Sequence, residues 1–263
     1  MRPPAEVIAE AARISPLTTG PAFSDLADAD ELRFREEVEP GRAEPEDVAA
    51  WMERKELRAK LEYALDQAGI EPAGTIVELG AGSCWLAAEL ARRPAVERVV
   101  AVEFSRHRLE RLAPETLANI GAGAAKVERR LADFYRHGLD AGLADLVFTD
   151  AAFHHAADPV RLARVAYELL KPGGSFVAFR EPTLSVLRRR RDHGIEDEHG
   201  AFEHEYDRRG YLRHLSAAGF DPRSARAAGS FRTPIARAIL RPPLSWLNGI
   251  AFSEFTYVGR KPA

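Results

Sequence analysis

The chain has 263 residues, 46% hydrophobic and 29% charged, the profile of a globular protein with room for one large domain and an appended segment. Its net charge of −3 and pI near 6.3 give no electrostatic reason to expect DNA as a partner, and no RNA-binding module is apparent. Cys84 is the only cysteine, which excludes an intrachain disulfide; with no signal-like N-terminus and no bilayer-length apolar run, a reducing, cytoplasmic location is expected.

Residues 1–72 are rich in Ala, Glu, Asp and Arg and broken by prolines, and read as an N-terminal helical segment, a candidate lid. Trp51, Leu57, Leu61 and Leu65 recur at helical spacing, predicting an amphipathic helix over Pro45–Ala68 closed by Gly69 and Pro72. From Thr75 short apolar runs alternate with helical stretches. Thr75–Leu79 predicts a strand, Ser83–Arg93 a helix, Val99–Glu103 a strand followed by a helix through Arg111, and Ala125–Arg129 a third strand. Ala144–Thr149 is a fourth strand, Pro159–Leu170 a helix and Ser175–Arg180 a fifth strand. Strict alternation means crossover units: a Rossmann-like, doubly wound α/β fold with a mostly parallel sheet.

After Glu181 the rhythm breaks into a polar insertion, about 182–206. Asp207–Ala218 predicts a helix capped by Asp207, then come a strand near Ser224–Ala228, an apolar insertion at about 230–252 and an antiparallel last strand at Ser253–Val258. Residues 73–263 thus form the second and larger unit. The apolar residues between Phe231 and Ile250 are too many for a solvated loop, and predict a flap over the site; the flanking Arg232, Arg237 and Arg241 leave membrane association as a lesser alternative.

The first strand ends in Glu78-Leu79-Gly80-Ala81-Gly82-Ser83-Cys84-Trp85. Glycines in a strand-to-helix turn allow a ligand close to the backbone, and the helix behind them offers unpaired N–H groups. A dinucleotide turn would need a third glycine where Trp85 stands, which disfavours NAD.

Over roughly Thr75 to Gly219 the sequence resembles the class I S-adenosylmethionine-dependent methyltransferase family, in its small-molecule or glycan-type branch. The resemblance implies S-adenosyl-L-methionine as cofactor, with Glu78, Gly80, Ala81 and Gly82 as the turn around its methionine part. It implies Glu103 against the ribose hydroxyls, with Phe104 beside it, and Asp133-Phe134 at the adenine. Thr149, ending the fourth strand, joins this cofactor set, and Leu169-Leu170-Lys171-Pro172-Gly173-Gly174 matches a structural turn of the family. The family often has a glycine where this chain has Cys84.

On the acceptor side the fourth strand runs into Asp150-Ala151-Ala152-Phe153-His154-His155, at the carboxyl ends of strands where such folds bind ligands. His154 and His155 are candidate general bases, with a loop-orienting role as the plainer alternative, and Asp150 is the next candidate. The His- and acid-rich stretch Asp192–Tyr206 and the run Arg188–Arg191 read as solvated surface, and no metal site is expected. The expected function is O-methylation of a sugar, glycan or natural-product hydroxyl. N-methylation of an amino sugar or other small molecule, and a catalytically silent partner subunit, are the alternatives.

Overall fold

The computed structural model describes residues 2–27, 29–39, 48–184, 195–196, 202–204, 206–225 and 254–263. The elements in order are α1 (Ala5–Ile14), β1 (Leu17–Thr19), α2 (Ala29–Arg33), α3 (Val48–Arg54), α4 (Leu57–Ala68), β2 (Gly74–Leu79), α5 (Trp85–Ala91), β3 (Val96–Glu103), α6 (Ala113–Ala118), β4 (Val127–Leu131) and β5 (Ala144–Asp150). They continue with α7 (Pro159–Leu169), β6 (Leu170–Leu184), the short strands β7 (Ile195–Glu196), β8 (Phe202–Glu203) and β9 (Tyr206–Asp207), α8 (Arg208–Ala217), β10 (Asp221–Ala225) and β11 (Glu254–Arg260).

The main sheet runs β1-β4-β3-β2-β5-β6-β11-β10. The pairings from β1 to β6 are parallel, and those of β11 with β6 and β10 are antiparallel, as the alternation of the sequence predicts. Because the sheet is covered on both faces, its central strands carry continuous apolar runs. Ile76, Val99, Ala101, Leu146, Phe148, Val177 and Phe179 enter one core with α4, α5 and α6. Their neighbours Val77, Val100, Val102, Val147, Phe176 and Ala178 enter the other, with α7 and α8. Strand order reverses between β2 and β5, so the crevice expected at such a switch point opens over Leu79–Gly80 and Asp150–Ala151.

Four sequence expectations are corrected. The helix over Pro45–Ala68 is two helices: Glu56 adopts a left-handed φ of 52° between α3 and α4. The break leaves Leu57, Leu61 and Leu65 buried in the core while Trp51, on the other helix, reaches the cavity described below. The N-terminal segment is not purely helical, because β1 pairs in parallel with β4 and satisfies an edge that β3 leaves open. The third strand starts at Val127 because Gly121–Lys126 winds as a 3-10 turn. The strand expected near Ser224–Ala228 starts earlier, at Asp221, and is described as far as Ala225. The 230–252 insertion, Arg188–Arg191 and most of the stretch from 185 to 205 lie outside the described residues. Among the described residues no helix is long and apolar enough to cross a membrane.

The N-terminal helix is fixed by a buried charge. The guanidinium of Arg129 on β4 donates to the carbonyls of Ala12, Ser15 and Leu109, at 2.8, 2.6 and 2.7 Å. Ser15 Oγ donates to Val127 O at 2.6 Å. A buried arginine needs this degree of satisfaction to be tolerated.

Candidate active site

A cavity of about 380 Å³ lies at the carboxyl ends of β2, β3, β5 and β6. Its floor is the turn after β2. Gly80 has φ of 79°, and a Cβ there would come within 2.9 Å of both Phe134 and Ala152, so only glycine allows the turn to sit against that ring. The N–H groups of Gly80 and Ala81 both donate to Val102 O at 2.9 Å. Cys84 also has a left-handed φ, 61°. That conformation is one glycine adopts without strain, which suits the glycine that the family resemblance implies there, and burial pushes the Cys84 thiol up from its usual range.

Three carboxylates border the turn. Glu103, at the end of β3, accepts from the Gly82 N–H at 2.7 Å and the Ser105 N–H at 2.9 Å. It therefore braces the glycine turn from the neighbouring strand while lining the cavity. Asp133 accepts from the backbone N–H groups of Tyr135 and Arg136 through Oδ1 and of Ser24 through Oδ2. Glu78 is 1% exposed, and its Oε2 has no hydrogen-bond partner among the described residues. Burial, reinforced by Asp150 and Glu103, pushes the Glu78 carboxyl well above the carboxylate range.

Gly80, Ala81, Gly82, Glu78, Glu103, Phe104, Asp133 and Phe134 all line this one cavity. Thr149 does not: it is fully buried, with Oγ1 3.4 Å from Glu181.

The opposite wall is built from side chains. Asp150 accepts from Arg180 Nε and Nη2 at 2.7 and 2.8 Å and from Trp85 Nε1 at 2.6 Å. Burial pushes the Asp150 carboxyl up, and the Arg180 charge opposes the shift. Trp51, Trp85, Asp150, Arg180 and His155 line the cavity. His154 does not. It is 5% exposed, with Nδ1 2.8 Å from Glu181 Oε2. Glu181, itself fully buried, also accepts from the N–H groups of Ala152, Phe153 and His154 at 3.2, 3.0 and 3.2 Å. This geometry makes His154 an orienting group of the loop and leaves His155 as the histidine at the site.

Sequence reasoning missed Arg180 and Glu181, although the rule that brought out Asp150 (polar residues at the carboxyl ends of parallel strands) applies equally to the end of the fifth strand. It also missed the contribution of the N-terminal segment. Leu26, Ala27 and Arg35 line the cavity. Glu36 accepts from Ser105 Oγ and the His107 N–H, and Glu39 accepts from Arg108 Nε and Nη2 at 3.0 and 2.8 Å.

A family model described as "Methyltransferase domain" matches residues 77–178. The chain carries an S-adenosylmethionine-dependent methyltransferase domain. A dimethylglycine N-methyltransferase from Parasynechococcus marenigrum is 33% identical over 172 residues, which are 61% of this chain and 56% of that protein. The chain thus spans just over half the length of that relative.

Among solved structures, a complex between the Haloferax volcanii Trm112 methyltransferase activator and a methyltransferase matches with TM-score 0.56 at 19% identity, covering 84% of this chain and 100% of that one. A phosphoethanolamine N-methyltransferase from Haemonchus contortus, in complex with S-adenosyl-L-methionine, gives TM-score 0.55 at 16% identity, over 78% of this chain and 53% of that one. These likenesses concern the fold, which is the Rossmann-like methyltransferase fold. The domain's cofactor is S-adenosylmethionine, and the site's chemistry fits it: an unpaired buried carboxylate oxygen at Glu78 suits a ligand that carries positive charge.

Proposed function

We propose that the protein is an S-adenosylmethionine-dependent methyltransferase acting on the nitrogen of a small amine. The observation that carries this reading is the wall opposite the glycine turn, where the buried carboxylate of Asp150 lines the cavity beside Trp51 and Trp85. Acids and aromatic faces together suit ligands that hold or acquire positive charge. The N-methyltransferase named above, 33% identical, supports nitrogen over oxygen.

When bound, S-adenosylmethionine supplies a methyl group already activated on a sulfonium. The residues then bind and orient. Glu103 would accept from the ribose hydroxyls, since a carboxylate serves two neighbouring O–H donors. Asp133 and Phe134 would receive the adenine, Gly80–Gly82 would admit the methionine part, and Glu78 would offset the cofactor's positive charge. Trp51, Trp85 and Asp150 hold the acceptor in line, where most of the acceleration of such a transfer arises. Residues 23–27 and 29–39, tied down through Asp133, Ser105 and Arg108, would cover the cofactor and exclude water.

His155 favours a second reading. It lines the cavity beside Asp150, where a base could take the proton of a hydroxyl acceptor, as in the O-methylation that the sequence suggested.

Titration calorimetry with S-adenosylhomocysteine, followed by transfer of labelled methyl to matched amines and alcohols, tests the proposal. Cofactor binding with product formed only from amines is expected. Absence of binding by the folded protein would sink the methyltransferase reading, and product from alcohols alone would select the second.

A further inference from the structure

Arg180 occupies a position that no regular strand would give it. Along β6 the pairing with β11 steps from Ala178↔Tyr257 to Glu181↔Phe255, so Phe179 and Arg180 together stand opposite Thr256. This is a bulge, and Arg180 takes its left-handed place with φ of 53°, a conformation unfavourable for a side-chain-bearing residue. Bulges re-aim side chains. In a regular strand Arg180 would turn to the face opposite Phe179; instead its guanidinium lies 5.7 Å from the Phe179 ring, 5.6 Å from Trp85 and 5.8 Å from Trp51. Strain kept in such a place needs a use.

Asp150 occupies only one edge of the guanidinium, Nε and Nη2. The other edge, Nη1 with the second hydrogen of Nη2, forms a second fork of the shape that carboxylates fill with two parallel bonds. Among the described residues nothing accepts from Nη1, and Arg180 lines the cavity. Asp150 stands beside Arg180 on the same cavity. The wall therefore offers a cation and an anion side by side, the complement of a zwitterion.

Resting on the methyltransferase reading above, we infer that the outer edge of Arg180 binds the carboxylate of the acceptor, and that the acceptor is a small amino acid whose nitrogen is methylated. The carboxylate could in principle be that of the cofactor's methionine part. The sheet order argues for the acceptor: β6 lies three strands from β3, so Arg180 is roughly 14 Å across the sheet from Glu103. The methionine part belongs over the turn after β2, between them.

The test uses the whole chain with S-adenosylhomocysteine present. The probes are glycine, sarcosine, N,N-dimethylglycine and β-alanine, each compared with the matching amine in which a hydroxymethyl replaces the carboxylate. For the parent protein, at least one carboxylate probe should bind ten-fold or more tighter than its match. Arg180→Gln should abolish that preference while S-adenosylhomocysteine affinity stays within about two-fold. Because Arg180→Gln strands a buried Asp150, the double variant Asp150→Asn/Arg180→Gln, which keeps the pair neutral, is measured beside it with the melting temperature of each. Equal binding of acids and their matches by the parent would overturn the inference. So would loss of S-adenosylhomocysteine binding in folded variants, since Arg180 would then hold the cofactor. If the parent does not bind S-adenosylhomocysteine at all, the methyltransferase proposal itself fails.

Discussion

The two halves of the cavity are built by different means. On the β2–β3–β4 side, carboxylates at strand ends clasp backbone N–H groups: Glu103 holds Gly82 and Ser105, and Asp133 holds Tyr135, Arg136 and Ser24. On the β5–β6 side, side chains clasp side chains through Asp150, Arg180 and Trp85, over a loop gathered by Glu181. The first construction uses backbone N–H groups, which nearly every residue supplies whatever its side chain, and can serve one ligand in many proteins. The second depends on residues 30 or more apart in the chain, and can be retuned for each acceptor.

Glu181 should show the largest effect, because it belongs wholly to the second half. Glu181→Ala would leave the N–H groups of Ala152, Phe153 and His154 without their acceptor in a buried loop. A loss of about 3–5 kcal/mol in denaturant unfolding is expected, as for a broken buried network. His154→Ala should lose part of the same stability. If Glu181→Ala unfolds within 1 kcal/mol of the parent, the loop is held by something else and the contrast between halves is overstated.

Next is Glu103→Ala, which removes the brace of the glycine turn and the proposed ribose acceptor together. S-adenosylhomocysteine binding should weaken by about 1.5–3 kcal/mol by calorimetry, with acceptor selectivity unaltered. A change in selectivity would mean that the halves are not independent.

Glu78 tests where the halves meet. Its carboxyl is raised by burial, so the folded protein without ligand is penalised once pH exceeds the ordinary carboxylate range and Glu78 must ionise. The stability associated with the protonated form is present at low pH and fades as pH climbs through the raised pKa. A cationic ligand favours the ionised form, so cofactor affinity should fall on acidification and binding near the raised pKa should release protons. Calorimetry in buffers of different ionisation heat measures that release. Glu78→Gln should abolish it and flatten the pH dependence of stability.

The smallest change is expected at His155. With a nitrogen acceptor, His155→Ala should alter turnover by less than about ten-fold at unchanged stability and cofactor affinity. A drop of about 10²–10⁴-fold, with the parent rate rising with pH as a histidine loses its proton, would instead identify a general base and a hydroxyl acceptor.

The contrast also explains what could be read from the amino-acid order. The sheet, its antiparallel end and the residues that line the cavity around the glycine turn follow from short local patterns: apolar runs at strand spacing, glycines at a turn, an acid at or just beyond a strand end. Thr149, expected in the cofactor set as the end of the fourth strand, is instead buried beside Glu181, since a strand's last residues alternate between faces and position alone does not choose one. Which of His154 and His155 faces the cavity depends on Glu181, 27 residues from His154. Arg180 could not be placed without the bulge, which is a mismatch between β6 and a strand some seventy residues later and leaves no local trace. The Glu56 break and the N-terminal strand were hidden for a similar reason, because both answer to packing partners distant in the chain.

That N-terminal strand has a practical consequence. Leu17–Thr19 lies along Arg129–Leu131, so residues 2–20 close the flank of the sheet and bury Ala11 and Ser15 against it. A shortened chain starting after Gly20 would present a bare strand on which a second molecule could align, and would leave the Arg129 guanidinium facing the space that the Ala12 and Ser15 carbonyls had filled. Deletions at this end would therefore reveal themselves as clumping during purification, before any change in catalysis could be measured.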